Sequence, residues 1–132
     1  MSLEITTKDL YQLLIAELRY GFTRNNHLMP DGAFRHCKEY IPKMLEVDKE
    51  MASATAEQAV GETICEFRMR FDEGLGYEKE RYEEYKDFIM WGLHFIADNG
   101  PIPYIYNIDS LICTLERHNE DTSWVEENFI IK

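Results

Sequence analysis

Apolar residues recur at helical spacing along most of the chain, and turn residues separate the stretches in which they do so. In the first stretch Thr6 precedes the apolar pattern as a candidate N-terminal cap, and Gly21 with the polar residues 23–26 interrupts it. Four leucines set the spacing there: Leu10, Leu13, Leu14 and Leu18. This pattern predicts an amphipathic helix from about residue 8 to residue 20.

A second, shorter helix is predicted from about Asp31 to Tyr40. Pro30, Asp31 and Gly32 form a turn signal that can start a helix. Pro42 disfavours helical geometry at the residue before it and removes one backbone donor. We therefore expect this helix to end before the proline.

The two longest apolar patterns predict the centre of the fold. One runs over residues 43–72 and the other over residues 78–98, with the glycines of residues 74–76 supplying a helix end between them. The stripe of the first contains Met44, Val47, Met51, Ala54, Val60, Ile64, Phe67 and Phe71. That of the second contains Tyr82, Tyr85, Phe88, Ile89, Gly92, Leu93 and Ile96. Two such helices joined by a short loop predict an all-α fold, a single-domain helical bundle (residues 1–132) centred on a long antiparallel helical hairpin.

The remainder of the chain carries weaker patterns. After the turn at residues 99–101, Asn107 or Asp109 can cap a short helix with apolar positions Ile108, Leu111, Ile112 and Leu115. The tail, residues 119–132, is apolar enough to dock on the core or on another subunit. Its periodicity leaves helix and strand open.

Composition supports a folded protein without a membrane span. The chain has 132 residues, 45% of them hydrophobic, with 7 Phe, 8 Tyr and 2 Trp, which is too apolar for a disordered chain. The longest apolar stretch is far shorter than the roughly 20 residues that cross a bilayer. The N-terminal residues lack an export signal. Three widely spaced cysteines, Cys37, Cys65 and Cys113, are typical of a reducing cytosol, where we expect buried thiols and a cytoplasmic protein.

Charge is distributed unevenly along the chain. Residues 1–45 carry 6 Lys or Arg against 5 Asp or Glu, whereas residues 46–132 carry 8 against 20. An acidic surface repels nucleic-acid backbones and attracts basic partners. On the polar side of the helix predicted over residues 78–98, the candidate interaction face consists of Glu80, Glu83, Glu84 and Asp87.

Residue spacing indicates neither a metal site nor a catalytic site. A di-iron bundle needs Glu-x-x-His on two helices, and the nearest match here, His36-x-x-Glu39, is reversed and unpaired. His36 and Cys37 are neighbours, but adjacent residues of a helix point about 100° apart, so adjacency does not make a catalytic pair. We therefore predict no metal, no cofactor and no catalytic residue.

Basic residues are concentrated between positions 19 and 43, where a small ligand or a partner could bind. The candidate residues are Arg19, Tyr20, Arg24, His27, Arg35 and His36. A local positive charge on a chain of net charge −11 gives little of the counterion release on which DNA binders depend. Direct nucleic-acid binding is therefore not favoured.

Two segments resemble a known group of proteins. Residues 18–24, Leu-Arg-Tyr-Gly-Phe-Thr-Arg, resemble the RYALGR-x-x-Y segment of small proteins carried by phages and other mobile elements. Residues 74–80 followed by 82–86 are similar to the glycine-acidic turn and aromatic-charged helix of the same proteins. The resemblance implies a bacterial or phage cytoplasmic protein and supplies no catalytic residues.

These observations favour an accessory protein that binds another protein through its acidic helical face. The alternative is a small-ligand-binding protein or an enzyme that uses the region from Arg19 to Lys43. A third hypothesis is a purely architectural subunit. The many aromatic residues and the apolar tail also predict self-association, most simply as a two-fold dimer. Convergence of Arg19, Arg24, His27 and His36 around a cavity would favour the alternative.

Overall fold

The computed structural model describes residues 5–23, 31–71, 79–100 and 104–131, the side chains of Asp31, Lys79 and Glu80 excepted. Within these ranges the chain is all-α and contains no strand, so the predicted helical-bundle class is confirmed. The helices are α1 (Thr7–Thr23), α2 (Asp31–Val47), α3 (Lys49–Phe71), α4 (Lys79–Asp98), α5 (Ile108–Arg117) and α6 (Ser123–Asn128).

The chain divides into two compact units, Met1–Ala59 and Val60–Lys132, and the division falls inside α3. The single domain expected over residues 1–132 stays a prediction. The glycine turn of residues 74–76 lies outside the described residues.

The first unit begins with the predicted cap of α1. The backbone N–H of Asp9 donates to Thr6 Oγ1 at 3.1 Å, which satisfies one of the free donors at the helix start. Leu10, Leu14 and Leu18 are buried as predicted, but Leu13 is 60% exposed. The helix also runs three residues further than expected, through Gly21 to Thr23.

The predicted end of α2 is wrong. The helix continues through Pro42 to Val47, although an internal proline removes one hydrogen bond and crowds the preceding turn. Cys37, Ile41 and Met44 on this helix are fully buried. Burial of side chains on both sides of the proline therefore outweighs its cost.

The predicted helix over residues 43–72 is divided at Asp48. Met51 N–H donates to Asp48 Oδ1 at 3.1 Å, so this carboxylate caps the start of α3. Thr7 Oγ1 donates to the other carboxylate oxygen at 3.3 Å. The division changes which residues face the core: Val47 is 51% exposed and Ala54 is exposed, while Ala52 and Ala56 are buried.

In the second unit, the part of α3 from Val60 to Phe71 packs on α4. Val60 lies against Gly92, whereas the rings of Phe67 and Phe71, later in α3, lie 5.3 Å and 5.6 Å from the ring of Tyr82, earlier in α4. These contacts run in opposite directions along the two helices. The hairpin of residues 43–72 and 78–98 stays a prediction over its full length.

Gly92 is needed for the close approach of α3 and α4. A methyl group at this position would collide with Val60 Cγ2. Gly61 makes a useful contrast, because a methyl group there would lie 3.8 Å from Tyr106, which is ordinary van der Waals contact. Only the first of these two glycines is demanded by packing.

Helix α5 ends in a turn that fixes the chain after it. Asn119 adopts a left-handed φ of 60°, Asn119 N–H donates to Glu116 O at 3.0 Å, and Glu120 N–H donates to Leu115 O at 2.9 Å. This is the hydrogen-bond pattern of a Schellman motif with asparagine in the left-handed position. The turn determines where the Glu120 side chain is placed.

The tail contains α6 and is only partly buried. Val125 and Phe129 enter the core, while Ile130 is 50% and Ile131 is 41% exposed.

The prediction that all three cysteines are buried thiols is wrong. Cys37 is buried, but Cys65 is half-buried and Cys113 is exposed.

Candidate functional site

The predicted basic site is only partly described by the structure. Arg19 and Tyr20 lie near the end of α1, and Arg35 and His36 lie near the start of α2. The side chains of Arg19, Tyr20 and Arg35 are exposed. The other two predicted residues, Arg24 and His27, lie outside the described residues.

Within this region the structure joins His36 to an acid. Its Nδ1 lies 2.9 Å from Glu17 Oε1 and 3.0 Å from Oε2, a contact that links α1 to α2. Both side chains are more than 40% exposed. The neighbouring Cys37 points into the core, where burial and then the charge of Glu17 raise the pKa of its thiol to about 12. Such a thiol is protonated at neutral pH and is a poor nucleophile.

The predicted acidic face of α4 proves to be mixed. Asp87 is exposed, but Glu83 lies 3.1 Å from Lys86 Nζ and Glu84 has one carboxylate oxygen buried. The side chain of Glu80 lies outside what the structure describes. Of the three acids whose side chains the structure describes, Asp87 is exposed, and the Glu83 side chain remains 45% exposed beside Lys86.

The half-buried cations of the second unit lie among acids and aromatic rings. Lys86 Nζ donates to Glu120 Oε2 at 2.8 Å and lies 5.6 Å from the ring centre of Tyr82. Tyr82 donates its hydroxyl to the same Glu120 oxygen at 2.7 Å. These contacts hold the turn after α5 against α4.

The pKa values of this cluster reflect its contacts. Burial alone would lower the pKa of Lys86, but its hydrogen bonds to Glu120 and Glu83 outweigh burial and raise it. The hydrogen bond from Lys86, followed by that from Tyr82, lowers the pKa of the Glu120 carboxyl despite its partial burial. Both groups are therefore charged at neutral pH, and the cluster is an ion pair and not a proton-transfer site.

Arg70 also lies beside a carboxylate and an aromatic ring, as Lys86 does. Arg70 Nε donates to Glu66 Oε2 at 3.3 Å, and its guanidinium carbon lies 5.9 Å from the ring centre of Tyr85. Burial raises the pKa of Tyr85 to about 12, and the charges of Arg70 and Arg81 oppose that rise. Arg68, Arg70, Arg81 and Lys86 are all half-buried.

Acids therefore dominate the exposed charge of the second unit. Seven of its described charged residues that are exposed as whole residues are acidic, and one, Arg117, is basic. We call the seven acids the acidic surface: Asp87, Asp98, Asp109, Glu116, Asp121, Glu126 and Glu127. Most of them lie in α5, in α6 and in the turn between these helices, which the sequence had not singled out.

The exposed charges of the first unit are balanced. Its described residues include five exposed basic side chains: Lys8, Arg19, Arg35, Lys38 and Lys49. They also include four exposed acids: Asp9, Glu39, Glu46 and Glu50. Two acids lie directly against the predicted basic region: Glu17 contacts His36, and Glu39 contacts Lys43.

Aromatic rings form part of the outer surface of the second unit. The exposed His94 of α4 stacks on Trp124 of α6 with ring centres 3.8 Å apart and planes 24° apart. Trp91, one turn before His94, stacks on Phe88 and on Phe95 at 5.9 Å and 5.6 Å. Sequence patterns place His94 on the helix surface or in the core, but they cannot show a ring contact across 30 residues.

The described part of the chain shows neither a metal-binding cluster nor a membrane-spanning helix. It contains no group of three or more His, Cys, Asp or Glu side chains arranged to hold a metal ion. None of its helices is long and apolar enough to span a bilayer.

Comparison with known proteins gives no relative. No protein family matches the chain, and neither a curated protein nor a solved structure is significantly similar to it.

Proposed function

We propose that this protein is an accessory protein that binds another protein through the acidic surface of its second unit. The observation that carries the proposal is the ratio of exposed charges there, seven acids to one base among the described residues. Carboxylates placed in this way raise the rate of encounter with a basic partner and disfavour acidic ones.

The contacts of the half-buried cations support the same function. Lys86 and Arg70 lie against Glu120, Glu83 and Glu66, so their charge is opposed by carboxylates next to them. The exposed acids have one exposed cation, Arg117, among them in the described residues. The electrostatic potential at this surface is therefore negative.

Affinity capture with the full-length tagged chain tests this proposal. The lysate of the host is treated with nuclease, and capture is repeated at about 0.05 M and about 0.5 M salt, because salt screens exposed charges. We expect a discrete protein that is retained after nuclease treatment and released at high salt. Retention of every captured protein at high salt would contradict the proposal, as would recovery of nucleic acid alone.

The alternative, ligand binding by the region from Arg19 to Lys43, predicts a different result. A small molecule would then copurify with the protein, and replacing Arg19 and Arg35 by Gln would release it. The structure pairs His36 with Glu17, which removes one of the side chains that such a site would need.

We also propose that the protein self-associates as a homodimer in the cytoplasm. Leu13 and Tyr20, two turns apart on α1, are 60% and 50% exposed, and apolar side chains on one helix face favour contact with a second copy. Sedimentation of wild-type protein and the Leu13→Ser variant tests the dimer, which the substitution is expected to weaken.

The proposed location in the cytoplasm is consistent with the exposed free thiol of Cys113, which is expected to stay reduced there. An origin in phages or mobile elements is proposed on the resemblance of residues 18–24 and of residues 74–80 with 82–86.

A further inference from the structure

The outer side of α4 carries a symmetric pattern of acids and rings. Asp87, Trp91, His94 and Asp98 follow one another at intervals of four, three and four residues, which places them along one side of the helix. We call these four residues the α4 stripe. Its two ends and His94 are exposed, and Trp91 is half-buried.

The middle of the α4 stripe is a firm aromatic platform. Trp91 is stacked between Phe88 and Phe95, and His94 is stacked on Trp124, which also meets Phe129 edge-on at 5.8 Å. Rings fixed in this way lose little conformational freedom when a partner covers them, which favours binding.

The ends of the stripe are carboxylates separated by eleven residues, about 16 Å along the helix axis. Asp98 is the last residue of α4, where the helix dipole favours a cation and disfavours a carboxylate. This acid therefore does not stabilise its own helix, and its charge is directed to the surface.

We propose that the α4 stripe binds a basic amphipathic helix of a partner protein. A helix of the same pitch that carries Lys or Arg at two positions eleven residues apart, with aliphatic residues between them, matches the stripe position for position. The cations would meet Asp87 and Asp98, and the aliphatic side chains would cover the rings of Trp91 and His94. This inference rests on the proposed function, since it specifies the partner of the same acidic surface.

Two peptides of identical composition test the pattern. Both are capped, alanine-based helical peptides without tryptophan. The matched peptide has Arg at positions i and i+11 and Leu at i+4 and i+7, and the exchanged peptide has the Arg and Leu residues interchanged. Both have the same charge, so general attraction to an acidic protein affects them equally.

Intrinsic fluorescence reports binding where it is proposed. The chain has two tryptophans, and both Trp91 and Trp124 belong to the platform. We expect the matched peptide to change the emission and to bind about fivefold more tightly than the exchanged peptide, from two added ion pairs of ordinary strength. The Asp87→Asn/Asp98→Asn variant should remove this difference, while Glu39→Gln/Glu46→Gln, which neutralises two exposed acids of the first unit, should leave it intact.

The outcomes separate this inference from the function on which it rests. Equal affinities for the two peptides, or a preference that survives Asp87→Asn/Asp98→Asn, would overturn the helix proposal, while salt-sensitive capture of a partner would still support the acidic surface. A concentration-dependent emission change without peptide, if it persists in the Leu13→Ser variant, would show that a second copy covers the platform, and would also overturn the helix proposal. The proposed binding through the acidic surface is tested separately, by the affinity-capture experiment.

Discussion

The two units of the chain differ in what their charged side chains do at the surface. In the first, five exposed bases stand beside four exposed acids, and in the second one exposed base stands beside seven acids, counting described residues only. Composition produces most of this difference, because residues 1–59 carry 7 Lys or Arg against 9 Asp or Glu, whereas residues 60–132 carry 7 against 16. The second unit also has four arginines and lysines that are half-buried, among them Lys86 bonded to Glu120 and Arg70 bonded to Glu66. The surface is acidic because carboxylates outnumber cations in this part of the sequence, and the half-buried cations leave Arg117 as the one exposed base among the described residues.

The two units also differ in the exposure of the polar contacts that join separate segments of the chain. Glu17 and His36 in the first unit are half-buried residues whose side chains are each more than 40% exposed. In the second unit Glu120 accepts from Tyr82 and Lys86, and its side chain is 28% exposed. Since water screens exposed pairs more strongly, the second contact should contribute more to stability.

The largest expected effect on stability comes from disrupting the close contact between α3 and α4 at Gly92. Gly92→Ala places a methyl group against Val60, and the stiff β-branched side chain of valine cannot turn away freely. We expect the free energy of unfolding to fall by about 2 kcal/mol, as for other overpacked cores, measured by urea denaturation.

Two further variants control this experiment. Gly61→Ala adds the same methyl group where only ordinary contact with Tyr106 results, and should raise stability by up to about 1 kcal/mol through helix propensity. Val60→Ala combined with Gly92→Ala should recover part of the loss. A loss from Gly61→Ala equal to that from Gly92→Ala would show that close helix packing is not the cause.

A smaller effect is expected at the turn that presents Glu120. Asn119 has a left-handed backbone, so Asn119→Ala should cost about 1 kcal/mol, because a β-carbon is strained in that conformation. Asn119→Gly keeps the conformation accessible and should change stability by a few tenths of a kcal/mol. Thermal unfolding of the two variants measures the difference, and equal melting temperatures would contradict the role of the turn.

The Glu120 cluster should show its contribution through pH. The pKa of Glu120 is lowered in the folded chain, so its contribution is complete above the ordinary pKa of about 4.3 and is lost as pH falls through the folded value. The pKa of Lys86 is raised, so its contribution is lost as pH rises above about 10.4. Glu120→Gln should cost about 1 kcal/mol at pH 7 and progressively less below pH 4. A cost independent of pH would exclude the ion pair as its source.

The smallest effect is expected in the first unit. His36→Gln removes an exposed contact to Glu17 and should change stability by less than about 0.5 kcal/mol. Urea denaturation at pH 6 and pH 8 checks this value. A loss as large as that of Glu120→Gln would remove the contrast between the two contacts.

Sequence periodicity predicted the helices whose buried side chains repeat without interruption. The stripe from Val60 to Phe71 and that of α4 are buried as expected. The pattern failed at two helix boundaries. The helix predicted to end before Pro42 continues, because burial of Ile41 and Met44 outweighs the cost of the proline. The helix predicted to run on from residue 43 is instead divided at Asp48, whose carboxylate caps the N–H of Met51.

The candidate site was harder to predict than the fold. Net charge indicated an acidic surface, yet the sequence could not show which glutamates would be bonded to cations distant in the chain, as Glu120 is to Lys86. The His94–Trp124 stack joins residues distant in the chain, and spacing within one helix carries no signal for such a contact. Charge composition therefore predicted the kind of surface, while tertiary contacts determined its members.

The most direct test of the acidic surface compares two variants of equal charge. Glu116→Lys/Glu127→Lys reverses two exposed acids of the second unit, and Glu39→Lys/Glu46→Lys reverses two exposed acids of the first. Each variant changes the net charge by the same amount, and circular dichroism confirms that both are folded. In affinity capture at low salt, we predict that the second-unit variant loses the salt-sensitive partner and that the first-unit variant retains it. Equal retention or equal loss by the two variants would contradict a binding surface confined to the second unit.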